Sequence, residues 1–303
     1  MPKPVSIPIW ELNEMSYHHF GDGSQPHLSF ATAHHLFHIN KLEDYRDKIH
    51  FPLPPHRKQV YDFLFLTKGM TRRSKALHPY EIKENMFFFL PAYQITNHEF
   101  MSADTEGYFC HFNFDMFTDH LPQHNILRDF PFLQFLGNPI IEVDEMVKPF
   151  LFNIFQRLET EYRKGEQSNF EIISVYLLAL FTELKRFYTP SVSVKKNTAL
   201  MITQNFKDAL SRHIYEKQKV TEYADFLSVS PNHLNKCVKT TTGQSAQDLL
   251  NEMIVLEAKV LLKQTDMQIS EIAYKLSQQN HSDFSRFFKA KTGMSPKEYK
   301  QKD

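Results

Sequence analysis

The sequence predicts an α+β chain: an antiparallel β domain with helices after it, then an all-α domain of two helix-turn-helix units joined by a linker helix. Three observations carry this. Residues 220–245 (VTEYADFLSVSPNHLNKCVKTTTGQS) and 269–295 (ISEIAYKLSQQNHSDFSRFFKAKTGMS) are two copies of one pattern. Up to about Phe117 the chain is rich in Phe, Tyr and Ile with frequent turn signals, as short strands require. Between these regions, residues 189–198 (TPSVSVKKNT) break every periodicity with Pro, Ser and charge. The expected organisation is a β domain with C-terminal helices over 1–190, a linker over 191–200 and the paired units over 201–303.

In the front part, residues 61–67 (YDFLFLT) read as a strand stopped by Lys68-Gly69, 86–90 (MFFFL) as another stopped by Pro91, and 107–114 (GYFCHFNF) as a third. Strands at this spacing suggest a small antiparallel barrel or sandwich. The unbroken aromatic runs imply burial on both faces. Helices follow: Val147, Phe150, Leu151, Ile154, Phe155 and Leu158 form one apolar stripe, and Asn169 is placed to cap a second helix that Pro190 ends.

Bulk properties narrow the function. The net charge is zero over 303 residues, yet from Lys195 onward 17 Lys and Arg stand against 12 Asp and Glu. A modestly basic tail behind an acidic front fits a nucleic-acid module joined to something else. Two cysteines, Cys110 and Cys237, exclude a disulfide framework and fit a reducing cytoplasm. The N-terminus has no signal-peptide pattern, and the longest apolar run, 172–181, is too short to span a bilayer. Among the sixteen histidines, His34, His35 and His38 are close in sequence and His56, His78, His98 and His111 lie on or beside strands. None sits in a motif that would converge metal ligands, so no metal, cofactor or catalytic residue is expected. Neither cysteine lies in a nucleophile motif, and the eight glycines form no phosphate loop.

The repeat holds the chemistry. At an offset of 49, Glu222, Ala224, Leu227 and Ser228 meet Glu271, Ala273, Leu276 and Ser277; at an offset of 50, Lys239, Thr242, Gly243 and Ser245 meet Lys289, Thr292, Gly293 and Ser295. Residues 201–215 form a helix leading in. Thr221 and Ser270 are placed to cap the first helix of each unit, and Ser230-Pro231 starts the second helix of the first. There Leu234, Cys237 and Val238 face inward, leaving Asn232, His233, Asn235, Lys236 and Lys239 outside. In the other unit Phe284, Phe287 and Phe288 face inward and His281, Ser282, Asp283, Ser285, Arg286 and Lys289 outward. Residues 249–263 form a linker helix of roughly 22 Å. Two such polar helices about 34 Å apart would enter successive major-groove segments of one duplex, where amides and guanidinium groups read base edges.

These residues resemble the AraC/XylS-type transcriptional regulators. The resemblance lies in both units and in the closing Ile269-Ser-Glu-Ile-Ala273, Phe284-Ser-Arg-Phe-Phe-Lys289 and Thr292-Gly-Met-Ser-Pro-Lys-Glu-Tyr299. More loosely, His56-Arg-Lys58, residues 61–69 and Phe87-Phe-Phe-Leu-Pro91 look like the family's cupin-type sensor domain. The resemblance implies a front domain that binds a small effector or dimerises, and a tail that binds double-stranded DNA and meets RNA polymerase. It places Asn232, Asn235 and Lys236 on bases in the first unit and Ser282, Asp283 and Arg286 at DNA in the second. Alternatives are a front domain that only dimerises, or a metal-dependent cupin enzyme fused to the tail. Departures from the pattern are Ser277-Gln278 where the family has Gly-Phe, Val255 where it has an arginine, and Asp283 near phosphates. They imply that the first unit carries the specificity and the second mainly positions the protein.

Overall fold

The computed structural model describes residues 7–10, 36–76, 78–120, 126–134, 137–164, 169–188, 198–277 and 280–301. His34, His35, Gln278 and residues 191–197 of the expected linker lie outside them. Residues 9–191 form one compact unit, and residues 192–303 with 1–8 form another.

Among its described residues the front unit has ten strands: β1 (Ile9–Trp10), β2 (Phe37–Lys41), β3 (Leu53–Lys58), β4 (Tyr61–Lys68), β5 (Met70–Lys75), β6 (His78–Lys83), β7 (Met86–Leu90), β8 (Thr96–Met101), β9 (Glu106–Phe112) and β10 (Ile140–Glu142). They make two five-stranded sheets, ordered β1-β3-β8-β5-β6 and β10-β7-β4-β9-β2. Pairing is antiparallel except between β1 and β3. Short helices α1 (Asp115–His120) and α2 (Ile126–Asp129) precede the longer α3 (Lys148–Arg163) and α4 (Phe170–Lys185). Asn169 caps α4, accepting from the N–H groups of Glu171 and Ile172.

The aromatic runs are buried on both faces because the second sheet is a middle layer. Phe63, Phe65, Phe87, Phe89, Cys110 and Phe112 pack with Leu151, Phe155, Leu158, Leu177, Phe181 and Leu184 of α3 and α4. The alternate residues Leu64, Leu66, Phe88 and Leu90 join Leu42 and Ile82 on the other side. Each such side chain contributes roughly 1.5–3 kcal/mol on burial. The stripe on α3 is narrower than expected: Val147, Leu151, Phe155 and Leu158 are buried, but Phe150 is 62% exposed. It lies about 100° around the helix from Leu151, outside the packed face.

Strands β3, β5 and β8 carry no period-2 apolar pattern because several of their inward residues are polar. Lys58 of β3 and Arg73 of β5 both reach Asp62 of β4, tying the two sheets together. Arg73 uses two nitrogens, Nη1 to Oδ1 at 3.1 Å and Nη2 to Oδ2 at 3.4 Å. All three side chains are at most 4% exposed. Burial alone would raise the Asp62 carboxyl, but the Arg73 and Lys58 charges outweigh it and hold it below its ordinary value. Burial pulls the Lys58 ammonium down to about 8 against the pull of Asp62. Lys75, also buried, donates to the carbonyls of Gln134 (3.3 Å) and Gly137 (2.7 Å), and burial lowers it to about 7.

The buried histidines, His38, His56, His98 and His111, make structural contacts. His38 bonds Tyr162 Oη (2.6 Å) and Asn40 Oδ1 (3.0 Å) and stacks on His111. His56 stacks on Trp10 and bonds the Pro54 carbonyl; His98 bonds Thr71 Oγ1 at 2.6 Å. Among the described residues no three His, Cys, Asp or Glu side chains are grouped to hold a metal ion.

The other unit holds seven helices among its described residues: α5 (Thr198–His213), α6 (Val220–Phe226), α7 (Pro231–Thr242), α8 (Ala246–Gln264), α9 (Ile269–Ser277), α10 (His281–Thr292) and α11 (Pro296–Gln301). Residues 198–200, assigned to the linker from sequence, already belong to α5. Thr221 and Ser270 are not caps, because α6 and α9 start two residues earlier than their positions require. Glu222 and Glu271 hold those ends instead. Glu222 accepts from the N–H groups of Gln218 (2.6 Å) and Lys219 (2.8 Å), and Glu271 from that of Gln268 (2.6 Å). Linker helix α8 is longer than expected, nineteen residues or about 28 Å. No described helix is long and apolar enough to cross a membrane.

Two outcomes are expected. Asp62→Ala leaves Lys58 and Arg73 buried without their counter-charge and costs about 3–5 kcal/mol in urea unfolding of the front unit. Lys75 binds its proton more weakly folded, at about 7, than an ordinary lysine at 10.5. The unfolded chain therefore carries more protons between those values, and the Lys75 contribution to stability grows as pH rises across that window. Lys75→Met is expected to flatten that slope in melts taken from pH 7 to 10.

Candidate nucleic-acid interface

Each unit presents one polar helix, and both helices are built by the same local devices. In α7 the Ser230 hydroxyl accepts from the His233 N–H at 3.2 Å and Pro231 takes the first helical position. In α10 the Asn280 carbonyl oxygen accepts from the Asp283 N–H at 2.9 Å. The C-termini match as well. Gly243 and Gly293 sit at φ 78° and 79°, donating to the carbonyls of Lys239 (3.0 Å) and Lys289 (2.8 Å). A Cβ at either glycine would meet nothing within 4 Å, so the left-handed backbone alone requires glycine there. Thr242 and Thr292 then accept from the N–H groups of Gln244 and Met294. Ser245 with Asp248 and Ser295 with Glu298 form the capping pairs of the following helices α8 and α11.

The inner faces are equivalent. Leu234, Cys237 and Val238 are buried on α7, and Phe284 and Phe288 on α10, with Phe287 half-buried rather than fully inward. Tyr223 and Ala224 of α6, and Ile272, Ala273 and Leu276 of α9, are fully buried against them. Phe206 meets Tyr223 edge to face, and the Tyr223 hydroxyl donates to the Lys217 carbonyl at 2.9 Å. The first corner places Ser228 at φ 55°, a left-handed position that a non-glycine residue occupies at a cost.

Between the units α8 buries a broad apolar face of Leu249, Leu250, Met253, Ile254, Val255, Ala258, Val260, Leu261 and Leu262, and turns a narrow polar stripe of Asp248, Glu252, Lys259 and Lys263 to solvent. Val255 is 8% exposed, so the position where the family carries an arginine is packed here. Glu257, 2% exposed, accepts from the Tyr215 hydroxyl at 2.9 Å, and Lys275 of α9 lies over the Tyr215 ring. This polar link ties α8 to a residue just beyond α5 and to α9.

Asn232, His233, Asn235, Lys236 and Lys239 are exposed on α7. On α10 Ser282, Arg286 and Lys289 are exposed and Asp283 is half-exposed. The four cations put positive charge on both polar faces, as a phosphate backbone requires. Asn235 has a second attachment. Its carbonyl oxygen accepts from the Ala246 N–H at 3.0 Å, holding the start of α8. Reading an adenine bidentately needs that same oxygen, one of whose two lone pairs is already committed. At the offset of 50 the matching pair is Ser285 and Pro296, and proline has no N–H to satisfy.

Sequence reading missed Asn280, although N-x-x-D over 280–283 is a capping pattern. Asn280 also donates from Nδ2 to Asp283 Oδ2 at 2.8 Å, and Asp283 Oδ1 accepts from Arg286 Nη2. It missed the Tyr215–Glu257 bond, which no local pattern signals.

Comparison with known proteins agrees with this geometry. Residues 223–302 match the helix-turn-helix domain family. The chain is similar to the transcriptional activator RhaS of Enterobacter sp. (strain 638), 32% identical over 92 residues, covering 30% of this chain and 33% of that protein. To the activator RhaR of the same organism it is 23% identical over 149 residues, covering 49% and 53%. The chain thus spans about half or less of the length of these relatives. Among solved structures it is similar to the C-terminal domain of AraT, a response regulator from Geobacillus stearothermophilus, at 30% identity over 33% of this chain and 84% of that one, TM-score 0.32. It is also similar to ToxT from Vibrio cholerae, at 16% identity over 87% and 96%, TM-score 0.37. With the paired units, their matching caps and the curated relatives together, residues 223–302 form a helix-turn-helix domain of the AraC/XylS type.

Proposed function

We propose that this chain is a sequence-specific DNA-binding transcriptional regulator, and not an enzyme. Its tail places α7 and α10 in successive major-groove segments of one duplex, and its front unit responds to a small effector. The observation that carries this reading is the pair of cap-for-cap equivalent helices, each with a cationic polar face, joined through one buried helix. Caps are a demand of any short helix, but merely solvated helices would not need cations at matching positions. Asn232, His233, Asn235, Lys236 and Lys239 meet DNA from the first unit; Ser282, Asp283, Arg286 and Lys289 meet it from the second. RNA polymerase in the cytoplasm is the expected further partner.

One observation favours a front unit that also self-associates. Met146 and Phe150, four residues apart at the start of α3, are 80% and 62% exposed. Exposed large apolar side chains that share a face mark an interaction site.

Lys236→Ala is expected to weaken binding to a duplex selected from a randomised pool by about 1–3 kcal/mol, with a smaller loss on unrelated duplex. Equal losses on both would make Lys236 a phosphate contact. Phe150→Glu is expected to abolish self-association in analytical ultracentrifugation while leaving the melting temperature unchanged. A wild-type chain that sediments as a monomer at all concentrations would remove the self-association reading.

A further inference from the structure

The sequence makes Asp283 look like a defect, an anion at the front of a helix that approaches phosphates. The structure gives its carboxylate two fixed partners. Oδ2 accepts from Asn280 Nδ2 at 2.8 Å, and Oδ1 is paired with Arg286 Nη2. Asn280 is itself immobilised by capping the helix through the Asp283 N–H at 2.9 Å. Cap, carboxylate and guanidinium therefore form one chain of hydrogen bonds at positions 280, 283 and 286, along one edge of α10.

We propose that Asp283 is a positioning residue that presets the Arg286 guanidinium for reading a guanine, so the second unit carries specificity of its own. This rests on the DNA-binding function proposed above. The ion pair is exposed, 79% on the arginine side and 46% on the aspartate side, and an exposed pair of this kind adds little to stability. Its effect falls on conformation. An arginine that docks on a base edge loses rotamer freedom, and a guanidinium already held in place loses less. Arginine has five N–H donors in a fixed fork, so bonds to Asp283 leave others for guanine N7 and O6. The carboxylate also repels the DNA backbone, which lowers affinity for every sequence alike. Asp283 thus trades general affinity for discrimination.

The first unit has no equivalent. At the offset of 50, Asn280, Asp283 and Arg286 match Ser230, His233 and Lys236. Ser230 makes the cap, but His233 supplies no carboxylate, and the Lys236 ammonium is a point charge without a planar fork.

The test uses the full chain and a pool of randomised duplexes, with enriched sequences read for wild type, Asp283→Ala, Asp283→Asn and Arg286→Ala. Binding to an unrelated duplex and melting temperature are measured alongside. Wild type is expected to enrich a site containing a guanine whose preference Arg286→Ala erases. Asp283→Ala should reduce that preference by about two- to fivefold, while binding unrelated duplex as tightly as wild type or more tightly. Asp283→Asn, which keeps an acceptor for Arg286, should restore part of the preference. An Asp283→Ala profile identical to wild type would overturn the positioning role and leave the DNA-binding function standing. Equal losses on selected and unrelated duplex with a lowered melting temperature would make Asp283 a helix cap only and also overturn it. A wild-type chain that enriches no sequence would overturn the function itself and this inference with it.

Discussion

The tail depends on one helix. α6, α7, α9, α10 and α11 are six to twelve residues long, too short to persist alone in water, since helix nucleation costs more than a few turns return. What holds them is Ala246–Gln264, which buries eleven of its nineteen residues and packs against both units. A helix with so broad a buried face is more than a spacer. Its length and the register of its buried side chains set where each polar helix stands, and Glu257 adds a directional bond to Tyr215 where apolar contacts alone would leave rotation less defined.

With the core placed by that helix, the remaining demand is on helix ends. Every short helix leaves a large share of its N–H and C=O groups without internal partners. The chain meets this with a small set of devices used twice: a glutamate reaching back at the starts of α6 and α9, a side-chain cap before α7 and α10, a left-handed glycine after each, and a serine with an acid three residues on. These positions recur in the sequence because each is a separate physical requirement of the same shape.

This explains which parts of the molecule were legible in advance. The paired units could be read because capping and apolar spacing are local, and the glycines at 243 and 293 could be read because eight are available in all. Thr221 and Ser270 misled because a hydroxyl beside a helix start is a weaker signal than a glutamate three residues past the true cap. In the front unit, β4, β7 and β9 were visible through their aromatics. β3 and β5 were not, because Lys58 and Arg73 point inward to Asp62. Only the sheet pairing brings the three residues together, and no periodicity records a partner on another strand. Phe150 was placed inside because a stripe read from sequence has a direction but no measured width.

The offset of 50 also shows where two copies of one design have parted. Ala246 has an N–H to satisfy, and Asn235 satisfies it; Pro296 has none, and the matching residue has shrunk to Ser285. In the other direction, the second copy has gained a carboxylate at 283 beside an arginine, where the first has histidine and lysine. Each change makes sense only with its partner. An amide that looked free to read a base is half committed to holding a helix, and an anion that looked out of place is bonded to the side chain best suited to read one. The bonds between side chains therefore distinguish the two helices in a way that residue type does not: on the second a cap, a carboxylate and a guanidinium are linked in series, and on the first an amide is tied to the start of the next helix.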